Sequence, residues 1–235
     1  IVFIDQDDLI SKDCLAEIIL AFAGQPQLDL VYTDSDKLDL EGQRVSPSFK
    51  PGWSPLLLLS HMYFSHIVAV RRTIFEELGG LRSAHDGSQD YDFALRATER
   101  ARYVKHIPKL LYHWRMLPGS TAVSASSKSE SVDAGLRAVE AAVERRNIAA
   151  SVARPDWAVK AGIGLYELEF ASPSVDISVV LVRGTHRLDG LVDAIAKAPV
   201  CVREIVLVDQ AELGELSVGQ LRQLQDRGVA IRHVH

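Results

Sequence analysis

The 235-residue chain has only two cysteines, Cys14 and Cys201, far apart in sequence. That excludes a disulfide framework, and the pair reads as small core residues of a reducing compartment. It has no excess of positive charge: 26 Lys and Arg stand against 31 Asp and Glu, for a net charge of -5 and a pI near 5.9. With no basic stripe either, a nucleic-acid binder held by phosphate contacts is excluded. No signal peptide opens the chain and no apolar run is long enough to span a bilayer. The most apolar stretch, "PLLLLSHMYFSHIVAV", is interrupted by His61, Ser65 and His66, and reads as a helix followed by a buried strand. No short tandem repeat is present. Nor is there an initiator Met: Ile1 opens inside an apolar strand and "VAIRHVH" stops on another, so the expectation is a segment of a longer polypeptide.

What is present is the composition of a soluble globular protein, 47% hydrophobic and 24% charged. "IVFID" is a β-branched and aromatic run, a buried strand that ends at Asp5 and is expected at the centre of a sheet. Ser11 can cap a helix from about Lys12 to Ala23, with Leu15, Ile18, Ile19 and Phe22 on one face. "DLVYTD" is a second strand, and Glu41-Gly42 suggests a hairpin turn after it. "SPLLLLSHM" reads as a short helix, "SHIVAVRR" as a strand, and "TIFEELGG" as a helix stopped by its glycines. "SQDYDFALRATERA" is a helix with acidic residues at its N-terminus. "VKHIPKLLYHWR" is a strand broken by Pro108 and resumed. Residues 120–130 read as a loop, followed by a helix through Val132, Leu136, Val139 and Val143. Residues 151–174 show no long period and read as an extended linker. From Val175, "VDISVVLV", "RLDGLVDAIAKA" and "REIVLVDQ" form a βαβ opening suited to a parallel sheet.

The stretch with the most chemistry in it is "FIDQDD". Asp5, Asp7 and Asp8 fall within four positions at the end of a buried strand, where α/β folds bind ligands, and they repel one another. A divalent cation would relieve that repulsion: Mg²⁺ and Mn²⁺ prefer hard oxygen ligands and take one or two carboxylates together with phosphates. The alternative, an acidic loop capping the next helix, stays open at this point. An EF-hand does not fit, because its sixth and twelfth positions would be Ile10 and Ala16 counted from Asp5, or Asp39 and Val45 counted from Asp34. A phosphatase of the aspartyl-phosphate type is contradicted by Leu9.

The order of motifs decides the reading. "FIDQDDLI", "DLVYTDSDK", "FKPGWSP", "VRR…LGGLR", "GSQDYDFALR", "HIPKLLYHWR" and "GSTA" together resemble the family-2 glycosyltransferases of the GT-A fold, in particular bacterial enzymes that build surface polysaccharides. The resemblance covers residues 1 to about 147. It implies an α/β fold: residues 1–150 as a GT-A mixed sheet flanked by helices and lacking its opening strands, a linker over 151–174, and over 175–235 the βαβ start of a second, degenerate domain of the same kind. It also implies a nucleotide-diphosphate sugar donor, a glycan or lipid-linked glycan acceptor, Mn²⁺ or Mg²⁺, and direct inversion with no covalent nucleophile. The parent enzyme would work in the cytoplasm or at the inner face of the membrane, as a peripheral protein.

Residue by residue, Asp5 and Asp7 match the D-x-D signature. Asp7 is assigned direct metal contact, and Asp5 the nucleotide ribose or the waters of the metal. Asp8 reads as a helix N-terminal charge. Asp90 in "SQDYD" would be the general base, where a capping role is the commoner one for Asp; Asp92 reads as a second N-terminal charge. His113 is either a third metal ligand or a packed core residue, and Arg115 either neutralises the diphosphate or forms a surface ion pair. Asp34 and Asp36 read as turn residues, Trp53 as core cover, and His61 and His66 as structural. In the second unit Asp209 matches the family's Asp near the donor base. There "VVLVRGTHRLDG" lacks the Pro and Asn of relatives and no D-x-D follows. Those departures carry the competing hypothesis of a non-catalytic, transferase-derived interaction module.

Overall fold

The computed structural model describes residues 1–116, 125–170, 177–182, 194, 202–208, 222, 224–226 and 228–234. The chain divides into two compact units, Ile1–Glu169 and Phe170–His235.

The first unit is built on a mixed six-stranded sheet of β1 (Val2–Phe3), β2 (Leu9–Ile10), β3 (Leu30–Leu38), β4 (Arg44–Ser48), β5 (Val68–Val70) and β6 (Val104–Arg115). The order is β1-β5-β3-β6-β2, with β4 added to β3 beyond the end of β5. Only β3 and β6 run parallel; the other pairs are antiparallel. Strand β3 is buried on both faces, and its alternation sorts two cores. Leu30 and Tyr32 join Val68 and Val70 under the helices α2 (Pro55–Ser60), α3 (Arg72–Glu77), α4 (Gln89–Arg100) and α5 (Ala125–Arg145). Val31 and Ala69 pack on the opposite face against Cys14 and Ile18 of α1 (Cys14–Gly24).

Local chemistry explains the boundaries. The β3–β4 turn is closed by Asp39, whose side chain accepts from the N–H groups of Glu41 and Gln43 at 3.1 and 2.7 Å, while Gly42 takes φ +77°. Ser54 caps α2, accepting from Leu57 N, with Pro55 at the first helical position. Strand β6 passes Pro108 without ending. Its pairing with β3 jumps from Thr33↔Ile107 to Asp34↔Leu110, so the residue that cannot donate to the ladder sits in a bulge.

Several elements differ from the sequence reading. The strand in "IVFID" is not central: β1 pairs only with β5, at one end of the sheet, among the described residues. An apolar run reports burial, not the number of neighbouring strands. Helix α5 begins at Ala125, inside the stretch read as a loop, since small polar residues are tolerated in a helix. Residues 150–170 are not an extended linker. They form β7 (Ala150–Ala153), α6 (Asp156–Ala161) and β8 (Glu167–Phe170), with β7 and β8 paired and Tyr166 buried in the core under α5. Asp34 and Asp36 lie within β3, not in a turn.

The second unit contains β9 (Ile177–Val182), β10 (Val202–Val208) and β11 (Ala230–Val234), in the order β11-β10-β9 with both pairs parallel. Apart from residue 194, the helix expected over 187–198 lies outside the described residues, as do Cys201 and Asp209.

Candidate active site

The loop between β1 and β2 carries the three carboxylates, and the fold compensates two of them. Asp8 is buried; it accepts from the Tyr112 hydroxyl and, at 2.8 Å, from the backbone N–H of Arg115. It is therefore bolted to the end of β6 and is not a helix charge: α1 starts only at Cys14. Burial and the Asp8 carboxylate together push the Tyr112 phenol up. Asp5 remains 54% exposed and pairs with His66 Nε2 at 3.1 Å. The turn Asp8 N–H to Asp5 O, 3.2 Å, ties these two ends of the loop together. Asp7 is half-buried, and its carboxylate has no protein partner among the described residues. Its carbonyl is held by Arg115 Nε.

His66 arrives from the turn before β5 and Asp90 from the N-terminus of α4. The His66 hydrogen bond holds the Asp5 carboxyl below its ordinary value. For His66 itself, burial alone would lower the pKa; the Asp5 hydrogen bond, with the charges of Asp5, Asp90 and Asp8, overcomes this and raises it. Burial raises the Asp90 carboxyl, opposed by His66 and by the N–H groups at the start of α4. Asp5 and His66 thus form an ion pair whose charges act on Asp90, three residues drawn from three separate segments.

The frame behind this group is polar and buried. Lys50 is 8% exposed, and its Nζ donates to the carbonyls of Phe64 and, at 2.8 Å, His66, on either side of Ser65. Its own N–H goes to Asp34 Oδ1 at 2.8 Å, and the same carboxylate oxygen is 2.7 Å from His106 Nε2. Asp36, two residues on, pairs with Arg44 and with His113 Nδ1, each at 2.6 Å.

His113 is consequently committed through both ring nitrogens, since its Nε2 lies 3.1 Å from Ser11 Oγ. It is not brought to Asp5 and Asp7 as a third ligand, and no cluster of three His, Cys, Asp or Glu side chains able to hold a metal ion occurs among the described residues. Arg115 lies beside the carboxylate loop, bound to backbone oxygen and not in a surface ion pair among the described residues. Asp92 is fully buried between Arg82 and Arg96, with Arg96 Nε at 2.9 Å, so it is a structural clamp and not an exposed N-terminal charge. His66 and Lys50 are the two residues that sequence reasoning left out of the site. The sequence signal for His66 was a polar residue interrupting an apolar run, and for Lys50 its place in "FKPGWSP".

No protein-family model matches the chain. The chain is similar to part of an O-antigen biosynthesis protein. That relative, RfbC of Myxococcus xanthus, is 40% identical over 153 residues, which are 65% of this chain and 12% of RfbC. The uncharacterized protein y4gI of Sinorhizobium fredii (strain NBRC 101917 / NGR234) is 39% identical over 142 residues, 60% of this chain and 16% of y4gI. The matched stretch is thus a small part of each relative. The crystal structure of S. aureus TarS 1-349 overlaps 61% of this chain and 46% of that one at 15% identity and a TM-score of 0.38, a likeness too slight to bear on function. No helix among the described residues is long and apolar enough to cross a membrane.

Proposed function

We propose that Ile1–Glu169 belongs to a GT-A glycosyltransferase domain of the family-2 type. Its parent protein would transfer a sugar from a nucleotide-diphosphate donor to a hydroxyl of a growing bacterial glycan, with inversion at the anomeric carbon. One observation carries the reading. Asp5 pairs with His66 at 3.1 Å and the charges of both act on Asp90, beside an Asp7 carboxylate that has no protein partner among the described residues. Similarity to a protein named for O-antigen biosynthesis supports a glycan product.

The donor set fits a hard divalent ion. Asp7 offers a carboxylate with no protein partner among the described residues and Asp5 an exposed one, the one or two carboxylates with which Mg²⁺ or Mn²⁺ joins a diphosphate. Such an ion would supply positive charge against the diphosphate as it leaves. Arg115, fixed through the Asp7 carbonyl, would add its charge on the same side. Asp90 would take the proton of the acceptor hydroxyl onto a carboxylate oxygen. Its burial raises its proton affinity toward the working pH, which favours a general base, and His66 limits that rise. For Phe170–His235 the all-parallel sheet supports the start of a second α/β domain.

In the full-length protein, Asp90→Asn keeps the size of the side chain and removes its basicity. Turnover should fall by roughly 10²- to 10⁴-fold with donor binding unchanged. Asp7→Asn should instead weaken Mn²⁺-dependent donor binding, read by calorimetry. Near-normal turnover in Asp90→Asn, or a trapped sugar–enzyme adduct, would overturn the assignment.

A further inference from the structure

The segment after α6, Gly162–Tyr166, builds one wall of a pocket at Asp90. Helix α6 ends at Gly162 in the left-handed conformation, φ +63°, and the chain turns back toward the core. Tyr166 anchors it. Its N–H donates to Ser60 O at the end of α2, 2.9 Å, and its hydroxyl donates to Val132 O in α5, 2.8 Å. The hydroxyl passes over Gly135, where a Cβ would lie 2.1 Å from it, so only glycine admits this contact.

The space is about 320 Å³ and open to solvent on one side, and its lining includes Asp90, Ser88, His61, Gly162, Gly164 and Tyr166. Three properties define what fits. No Lys or Arg among the described residues lines it, which favours an uncharged ligand beside the Asp90 carboxylate. Hydroxyl partners are present: Asp90 accepts, and Ser88 Oγ, whose hydrogen goes to Ser131 O at 2.7 Å, keeps lone pairs to accept with. The volume is at the small end of ligand pockets, which run roughly 300–1,000 Å³.

We propose that this cavity seats a single uncharged sugar residue, the acceptor end of the glycan, and that the Gly162–Tyr166 segment selects which sugar is accepted. The inference rests on the glycosyltransferase reading and adds the acceptor's class and the wall that discriminates it. Gly164 is the point at which to test it. A Cβ there would meet only Tyr166 Oη at 3.6 Å and Val132 Cγ2 at 3.8 Å, ordinary contacts, so alanine fits while leucine would project into the space.

The experiment is saturation-transfer NMR on the full-length protein with a panel of methyl glycosides of neutral hexoses and deoxyhexoses, and separately with Mn²⁺ and uridine, guanosine, thymidine and cytidine diphosphates. Wild type and Gly164→Ala should both bind at least one glycoside, and Gly164→Leu should lose it. Ser88→Ala, which adds no bulk, should weaken it. Diphosphate binding should be the same in all four proteins, which also reports that the variants are folded. Glycoside binding that survives Gly164→Leu, or a wild type that binds a diphosphate and no glycoside, overturns this proposal. A wild type that binds a glycoside and no diphosphate overturns the transferase reading and leaves the sugar cavity standing.

Discussion

Lys50 is where the stability of the site can be measured through a single proton. Burial draws its amine from 10.5 down to about 7, with the Asp34 carboxylate opposing. A base whose folded pKa lies below its unfolded one destabilises the fold when it must be charged. Between pH 7 and pH 10.5 the unfolded chain holds the extra proton, so stability rises with pH across that window. Below pH 7 the full cost applies. Each unit is worth about 1.4 kcal/mol, and because the amine is half protonated at pH 7, the gain from pH 7 to pH 9 is about 2 kcal/mol.

Lys50→Met keeps the length and apolar character of the stem and removes the titrating group. Urea unfolding of both proteins at pH 7, 8 and 9 gives the difference, in which titrations common to both cancel. Trp53, Trp114 and Trp157, the three tryptophans of the chain, all lie in Ile1–Glu169, so their fluorescence reports the unit that holds Lys50. The stability of the variant relative to wild type should fall by about 2 kcal/mol from pH 7 to pH 9. A difference that is flat in pH would show that the folded amine does not titrate there and would refute the reasoning.

Asp92→Ala leaves Arg96, 6% exposed, without its carboxylate, and should cost about 3–5 kcal/mol, or roughly 6–20 °C in Tm by calorimetry. Burial opposes the ionisation of Asp92, and hydrogen bonds from Arg82 and Arg96 overcome it, so its carboxyl sits below 3.8. Its stabilisation is complete above that value and lost as pH falls through the folded pKa. Gly135→Ala sets a Cβ against the Tyr166 hydroxyl and should cost about 1–3 kcal/mol by overpacking, and removing that hydroxyl with Tyr166→Phe in the same chain should restore part of it; denaturant midpoints decide both.

Where one residue type in one pattern sufficed, the fold was legible. The apolar runs around Val31 and Ala69 became strands buried on both faces, that around Ile107 a strand with one exposed face, and Gly79 and Gly80, both at positive φ, ended α3 where the sequence placed its stop. Pro108 marked a disturbance in β6, though a bulge absorbed it. Residues 150–170 were illegible because their elements are four to six residues long, too short for a period to show. What fixes them is Tyr166, and its partners, Ser60 O and Val132 O, are backbone atoms, which leave no trace in side-chain pattern.

The candidate site divides in the same way. Motif order pointed to Asp5, Asp7 and Asp90. Which of three adjacent carboxylates the fold neutralises depends on residues some 60 and 105 positions away: His66 for Asp5, and Tyr112 and the Arg115 N–H for Asp8. Asp8 turns toward β6 because the β2–β6 pairing, Leu9↔His113 and Ile10↔Tyr112, sets it beside that strand. Asp7, one residue earlier, is left with a carboxylate that has no protein partner among the described residues. Half-open to solvent, that carboxylate is available to a cation. The same pairing explains why His113 falls to Asp36 and Ser11. It sits opposite Leu9 on one side and Asp36 on the other, within the sheet, and the nearest charge to its ring belongs to β3. Among the described residues the proposed metal site of the loop therefore rests on Asp7 and Asp5, a set that would hold an ion when a substrate brings oxygens of its own.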